Sequence, residues 1–287
     1  MKFGLFFANA GPFAVPETFE ALVRTADEVG IESIWAVEHV VVPVGYESQY
    51  PYSKDGRMPG PENSPIADPL IALSYAAALT RNLRLASGVI ILPQRHPTYV
   101  AKEVATLDVL SRGRAILGVG IGWLREEFDV LDVPFRERAA RTEESVRAIR
   151  SLWSDTAEGF DGDFYRWKPV ESNPKPVQKP GVPIVVGGHV EGAARRAARV
   201  GDGFFPALGG LAKIPGLIQA MSDECGKVGR DPAEIEVTAA EGQVEPDLVR
   251  RYEEIGVSRL VMPPPAFDPE GIKRTLSEFA EKVIAKT

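Results

Sequence analysis

Four times along this chain a helical pattern runs into a glycine and turns directly into a short apolar run. Glu28-Val29-Gly30-Ile31-Glu32-Ser33-Ile34-Trp35 and Glu254-Ile255-Gly256-Val257-Ser258-Arg259-Leu260-Val261 match in residue character at most positions. Ala198-Arg199-Val200-Gly201-Asp202-Gly203-Phe204-Phe205 has the same design, and Ser111-Arg112-Gly113-Arg114-Ala115-Ile116 is a looser copy. A glycine just past a helix end supplies the left-handed cap that sends the chain back toward a sheet. Repetition of the joint implies one β/α unit used over and over.

Eight apolar runs then read as strands: residues 3–8, 33–37, 83–89, 115–119, 183–186, 203–207, 235–239 and 259–262. A helical pattern follows nearly every one. Pro16 opens the first, which puts Phe19, Leu22, Val23 and Ala26 on one face, and the last carries Ile272, Leu276, Phe279 and Val283. Eight alternating units in roughly 250 residues or slightly more are the signature of an α/β fold of the (β/α)8 TIM barrel type. A doubly wound open sheet is the alternative, but it usually has fewer strands per domain. The expectation is one barrel domain over residues 1–287. Two stretches exceed the minimal unit. Residues 40–67 form a long connection after strand two, rich in proline, glycine and tyrosine, which reads as a lid loop. Residues 157–180 read as a small insertion before strand five, a hairpin followed by a stiff proline-rich connector.

Composition narrows the partners. A net charge of −7 argues against nucleic acid and against an anionic membrane surface. The single cysteine, Cys225, has no internal disulfide partner, which suits a reducing cytoplasm. The apolar amino terminus is broken by Gly11-Pro12 too early for a signal sequence, and no window approaches a membrane span. The expected partner is a small-molecule substrate and the expected location cytoplasmic.

The chemistry should sit at the carboxyl ends of the strands, where barrel enzymes keep their sites. His39 follows strand two, His96 strand three and His189 strand five, so all three histidines belong on that face. A metal-dependent hydrolase is the obvious rival. Glu38, His39 and His189 are too few ligands for it, because strand one ends in Ala8-Asn9 and strand eight in Met262-Pro263. The expectation for metal is therefore none. No strand holds a Schiff-base lysine, and Gly-x-Ser-x-Gly is absent. Glycines dominate two exits instead: Gly118-Val119-Gly120-Ile121-Gly122-Trp123 after strand four, and Gly187-Gly188-His189 after strand five. Such runs serve as tight turns or bind phosphate through backbone N–H groups. Two at one end of a barrel point to a flat, phosphate-bearing cofactor. The first run lacks a dinucleotide fingerprint, since Trp123 stands where the third glycine belongs.

At these residues the chain resembles the luciferase-like monooxygenase family, the flavin- and deazaflavin-dependent barrel oxidoreductases. The matching elements include Ser33-Ile34-Trp35-Ala36-Val37-Glu38-His39; Leu92-Pro93-Gln94-Arg95-His96-Pro97; the Gly118–Trp123 run with Glu126-Glu127; Arg138 with Glu143-Glu144; and Pro183-Ile184-Val185-Val186-Gly187-Gly188. The resemblance implies a barrel with the cofactor lying across the carboxyl ends of the strands. It implies cofactor contacts at Ala8, Glu38, His39, Ser87, Gly88, Val89, Gly120, Gly122, Trp123, Gly187, Gly188 and His189. Within that set, Ser87-Gly88-Val89 would form a bulge, often with a non-prolyl cis peptide, that backs the central ring. His39 would be catalytic, moving a proton near the reacting atom, and Glu38 would hold its tautomer or hydrogen-bond the cofactor. The Glu38-His39 pair and the glycine-rich exit resemble the branch that uses coenzyme F-420, a deazaflavin, for hydride transfer to or from a small organic substrate. FMN with reduced-flavin monooxygenation is the alternative, and a non-catalytic flavin-binding barrel a further one. Sugar-phosphate dehydrogenases of the family carry a glutamate where Trp123 stands, so a sugar phosphate is not expected. The family resemblance also implies a homodimer.

Overall fold

Eight of the apolar runs pair side by side, all parallel, and the last closes on the first. The structure, a computed structural model, describes residues 1–207 and 209–287. The barrel strands are β1 (Lys2–Phe6), β2 (Ser33–Ala36), β3 (Arg84–Ser87), continued after a break by β4 (Ile90–Ile91), β5 (Ala115–Gly120), β8 (Ile184–Gly187), β9 (Gly203–Phe205), β10 (Glu236–Ala240) and β11 (Arg259–Met262). Between β5 and β8 in the chain, β6 (Glu158–Asp161) and β7 (Arg166–Val170) make a separate antiparallel hairpin, within the predicted insertion. Around the barrel the order is β1-β2-β3-β5-β8-β9-β10-β11, with Gly4 opposite Val261 closing the ring. The helices lie outside: α1 (Pro16–Glu28), α2 (Pro69–Leu79), α3 (Pro97–Ser111), α4 (Arg125–Val130), α5 (Arg138–Trp153), α6 (Glu191–Val200), α7 (Gly210–Val228), α8 (Pro246–Glu254) and α9 (Pro269–Lys282). This is the predicted (β/α)8 barrel. Among the described residues no helix is long and apolar enough to cross a membrane.

Strand alternation builds two cores. Ile34, Leu85 and Leu117 point outward into the large core under the helices, while their neighbours Trp35, Ala86 and Ile116 point inward. The inward set, completed by Val185, Phe205 and Val261, plugs the barrel and supports whatever lies above it.

The helix–glycine–strand joint works as predicted at three of its four copies. Gly30, Gly113 and Gly256 have φ of +84°, +83° and +86°. Gly201 does not: its φ is −96°, an ordinary extended value. It is glycine for a different reason, since a Cβ there would sit 3.0 Å from the Ala197 and Gly203 carbonyls and from Val186.

Strand three carries the main irregularity. Ala86 pairs with Ile116, yet Ile90 pairs with Val119, so four steps on one strand match three on the other. One extra residue makes a bulge at Ser87-Gly88-Val89. The peptide between Gly88 and Val89 is cis. Ser87 fills the gap in the ladder, its Oγ accepting from Gly118 N at 2.9 Å and donating to Gly118 O at 2.8 Å.

From β2 to α2 the chain runs without helix or strand, apart from one bridge between Ile66 and Ala10. A single buried side chain fastens both ends of this lid. Asn9 donates to the Val37 and Ala67 carbonyls and accepts from Val37 N. The sequence showed only that Asn9 is a poor metal ligand; the fold makes it a staple.

Candidate active site

A cavity of about 1080 Å³ opens at the carboxyl ends of the strands, large enough for a cofactor and a substrate together. Its floor is the barrel plug, through Phe6, Phe205, Ala207, Ala240 and Val261. Gly88 and Val89 enter from the bulge, Gly120, Gly122 and Trp123 from the exit of β5, and Gly187, Gly188 and His189 from the exit of β8. The lid contributes Val42, Tyr50, Tyr52 and Met58.

His39 and Glu38 are adjacent in sequence, but their side chains have different partners. The His39 Nδ1 lies 2.9 Å from a carboxylate oxygen of Glu127 on α4, and among the described residues no group hydrogen-bonds the opposite ring nitrogen. Glu38 accepts from Ile91 N at 2.6 Å and from Arg95 Nε at 2.7 Å, and Arg95 bridges on to Asp68 at 2.7 Å. Burial is the largest influence on the Glu38 carboxyl and raises its pKa, against the pull of Arg95 and the Ile91 amide. Glu38 therefore braces the bulged strand against the lid base, although it still borders the cavity. The partner that orients His39 is Glu127, not Glu38. Consecutive residues at a strand end point to opposite sides, which is why the neighbour in sequence is not the neighbour in space.

Helix α4 is also where the lid docks. Glu127 accepts from Val40 N and Val41 N at 2.7 and 3.3 Å, and Glu126 accepts from Glu47 N and Ser48 N at 2.7 and 3.0 Å. Two acidic residues in the first turn of a helix suit its dipole and bind backbone amides strongly. Above them Trp123 packs edge-to-face with His39, Tyr46 and Tyr50, at centroid distances of 5.8, 5.6 and 5.2 Å. Tyr50 continues to Tyr52, and Tyr52 to His189 across the mouth. Burial pushes the Tyr50 hydroxyl up to about 12, with Tyr52 and Tyr46 adding to the rise, so it stays protonated.

Lid docking through Glu126 should withstand acid. Burial raises its pKa, but the Ser48 hydroxyl and the local N–H groups overcome this and bring it down to about 2. A depressed folded pKa gives stabilisation that is fully present above the free carboxyl value of 4.5 and is lost only as pH falls through about 2. Amide exchange at Glu47 and Ser48, corrected for intrinsic rate, is expected to show equal protection at neutral pH and at the free carboxyl value. Loss of protection at that value would contradict this assignment.

The glycine-rich exits have a packing reason that the sequence does not show. A Cβ on Gly120 would meet the Val89 side chain at 2.5 Å, and one on Gly187 would meet it at 2.8 Å. A Cβ on Gly118 would lie 1.9 Å from the Ser87 carbonyl. These glycines make room for the bulge. The Gly188 N–H is already given to the Phe205 carbonyl at 3.1 Å, so it is not a free anion donor.

Positive charge gathers beside them, from the first residues of α4 and α5 and the middle of α6. Arg138 and Arg196 both border the cavity; among the described residues the buried Nε of Arg138 has no hydrogen-bond partner, and that of Arg196 faces a Glu143 oxygen at 3.3 Å without hydrogen-bond alignment. Arg125 and Arg138 lie against the same Phe135 ring, at 4.4 and 3.8 Å. Glu143, 3.3 Å from Arg196, is the only carboxylate among the described residues that pairs with any of the three. Burial lowers the pKa of both cavity arginines; Arg125 adds to this at Arg138, while at Arg196 Glu143 opposes it and Arg199 and Arg138 add to it. His189 adds a buried Nδ1 with no partner among the described residues, and burial followed by the charge of Lys213 lowers the pKa of that ring.

Three residues named from the sequence stand away from the cavity. Ala8 is buried in the outer core, because Phe7 takes a left-handed φ of +61° and turns the strand end so that Phe6 and Phe7 face the cavity instead. Ser87 is spent on the Gly118 ladder. His96 caps α3 and packs on Tyr165 of the hairpin. Among the described residues no three His, Cys, Asp or Glu side chains gather as metal ligands.

Residues 1–244 match the family described as luciferase-like monooxygenase. The chain belongs to that family. An uncharacterized protein of Mycobacterium tuberculosis is 32% identical over 276 residues, covering 92% of this chain and 94% of the relative. The F420-dependent glucose-6-phosphate dehydrogenase of Amycolatopsis mediterranei is 33% identical over 206 residues, 70% of this chain and 56% of that enzyme. The crystal structure of the monooxygenase RslO1 from Streptomyces bottropensis superposes with a TM-score of 0.78 at 25% identity, covering 99% of each chain. This luciferase-like protein is an oxidoreductase that works with a flavin or a deazaflavin.

Sequence reasoning missed two parts of the luciferase-like site. Glu127 and Arg138 stood inside matching motifs without a role, and Arg196 looked like one more arginine on an amphipathic helix. The available signal was the pairing of acids at the start of α4, since two consecutive glutamates in a first turn are well placed to take backbone amides.

Proposed function

We propose that the protein transfers a hydride between coenzyme F-420 and a small, neutral, largely apolar alcohol or carbonyl compound. The observation that carries this is the cationic edge of the cavity. Buried guanidinium Nε–H groups without a well-aligned acceptor favour an anion; those of Arg138 and Arg196 belong to residues that line the cavity, although Arg138 Nη1 donates to the Phe135 carbonyl and a Glu143 oxygen lies 3.3 Å from Arg196 Nε. The N–H groups of the first turn of α6 add a helix terminus to the same cavity. Arg125 and Lys213 extend the positive field outward. That is more charge than a single phosphate needs, and it suits the phosphodiester and glutamate carboxylates of a deazaflavin tail better than FMN.

The remaining residues fit a flat ring above the bulge. Gly88 and Val89 would back it, and His39 would stand at its edge, with one ring nitrogen free of partners among the described residues. When bound, a deazaflavin supplies the hydride-carrying carbon, which does not activate oxygen. The protein's share is to hold a proton at His39, to exclude water under the lid and to place the substrate. Tyr50, Tyr52, Trp123, Val42 and Met58 give the substrate side apolar walls with protonated hydroxyls and no free charge. A sugar phosphate would find no cation there.

Titration of the purified protein with coenzyme F-420 and with FMN, followed by fluorescence quenching, tests the reading. Tighter binding of F-420 is expected, and binding of neither would overturn it. Arg138→Ala is expected to weaken F-420 about ten- to a hundredfold, the worth of one hydrogen bond to a charged group. An unchanged affinity would remove Arg138 from the site.

A further inference from the structure

Glu127 joins two features that a barrel enzyme could keep apart, the first residues of the lid and the proposed proton-handling ring. It is fully buried at the start of α4. One carboxylate oxygen takes the Val40 and Val41 amides at 2.7 and 3.3 Å, and the other faces His39 Nδ1 at 2.9 Å. The lid base and the ring therefore share one side chain, 87 positions further along the chain than Val40. Among the described residues neither oxygen has another partner.

The geometry points to Glu127 as the positioning residue that fixes the tautomer of His39 in register with the docked lid, leaving Nε2 as the proton acceptor facing the cavity. A carboxylate can only accept, so the Nδ1 beside it must carry the hydrogen. In a neutral imidazole that places the lone pair on Nε2, which has no partner among the described residues. The ring borders the cavity, so the lone pair is available to a substrate. In the oxidising direction the alcohol O–H proton passes to Nε2. The C–H hydrogen leaves with its electron pair as hydride to the deazaflavin, so the alcohol becomes a carbonyl and the cofactor is reduced. With the other tautomer Nε2 would already hold a hydrogen and could not accept. Because the same carboxylate binds the first lid amides, a lid that pulls Val40 and Val41 away also disturbs the group that sets the tautomer. Proton acceptance is thereby tied to the docked lid.

The charged groups around this point are few. Glu38 faces the other way onto Arg95, and Glu126 is engaged with Glu47 and Ser48. Glu127 is therefore the side chain that decides which His39 nitrogen is protonated.

This inference deepens the proposed function and rests on it for the direction of proton transfer, but its first readout needs no cofactor. The chain has three histidines, so ring-nitrogen NMR of histidine-labelled protein resolves His39 once a His39→Asn variant assigns it. Wild-type His39 is expected as the Nδ1–H tautomer. In Glu127→Gln the amide oxygen can still accept from Val40 and Val41, while its NH2 faces Nδ1 as a donor. His39 is then expected to switch to the Nε2–H tautomer. The kcat for alcohol oxidation should fall about a hundredfold or more, the scale of a lost general base, with substrate KM little changed. Wild-type His39 in the Nε2–H form overturns the inference even if no variant folds, and so does an identical tautomer in wild type and Glu127→Gln. If the tautomer switches as expected but neither F-420 nor FMN binds, the functional proposal fails and the positioning role stands. If cofactor turns over and the tautomer does not switch, only the positioning role fails.

Discussion

Replacement of His39 by asparagine is expected to lower kcat by about a hundred- to ten-thousandfold while leaving cofactor affinity nearly unchanged, the usual scale for a general acid–base group. Asparagine is preferred to alanine because its amide N–H can still reach toward the Glu127 oxygen that His39 occupies at 2.9 Å. Alanine would leave that buried acceptor unpaired, at about 1–3 kcal/mol of stability, and would confuse a folding effect with a catalytic one. Affinity should survive because the groups proposed to hold the cofactor are elsewhere, in the bulge at Gly88-Val89 and in Arg138 and Arg196. Steady-state kinetics beside cofactor titration separate the two quantities. A kcat close to wild type would show that His39 is only a wall. The non-catalytic flavin-binding alternative makes a different forecast, in which no substrate oxidises or reduces the bound cofactor in wild type either.

The barrel was legible because its strands are short, apolar and bounded by repeated joints, and these are local properties. All eight strands occur where the apolar runs stand, within about two residues, the ordinary uncertainty of element boundaries. Site chemistry was legible only where motif position coincided with space. His39 and Trp123 both face the cavity, and they touch although 84 positions separate them. Of the two roles expected of Glu38, holding the His39 tautomer falls because adjacency in sequence was taken for adjacency in space, while the strand end sends its carboxylate to Ile91 and Arg95. Glu127, Arg138 and Arg196 acquire roles only once the lid folds back and α6 is set beside α5, and no spacing rule encodes those events. Asn9 is the plainest case. Its use lies in holding two lid ends that are 30 positions apart, Val37 and Ala67.

The glycines after strand four show how a correct motif can carry a second reason, and Gly118→Ala separates the two. At that position a methyl group would lie 1.9 Å from the Ser87 carbonyl oxygen, a backbone atom that no rotamer change can move. The amide and carbonyl of Gly118 are both held by Ser87 Oγ, at 2.9 and 2.8 Å, so the two strands cannot part without breaking that pair. Overpacking with no room to relax is expected to cost about 3 kcal/mol or more. In a chain of this size that lowers Tm by roughly 6–12 °C. The bulge moves with β3, so cofactor affinity should fall in the same variant. Gly226→Ala is the matched control: it lies within α7, a Cβ there meets nothing within 4 Å, and the substitution should stabilise by about 0.5–1 kcal/mol. A Gly118→Ala protein with unchanged Tm and lost cofactor binding would reverse the assignment. The glycine would then serve the ligand directly, and the phosphate-cradle reading of that exit would return in place of the packing one.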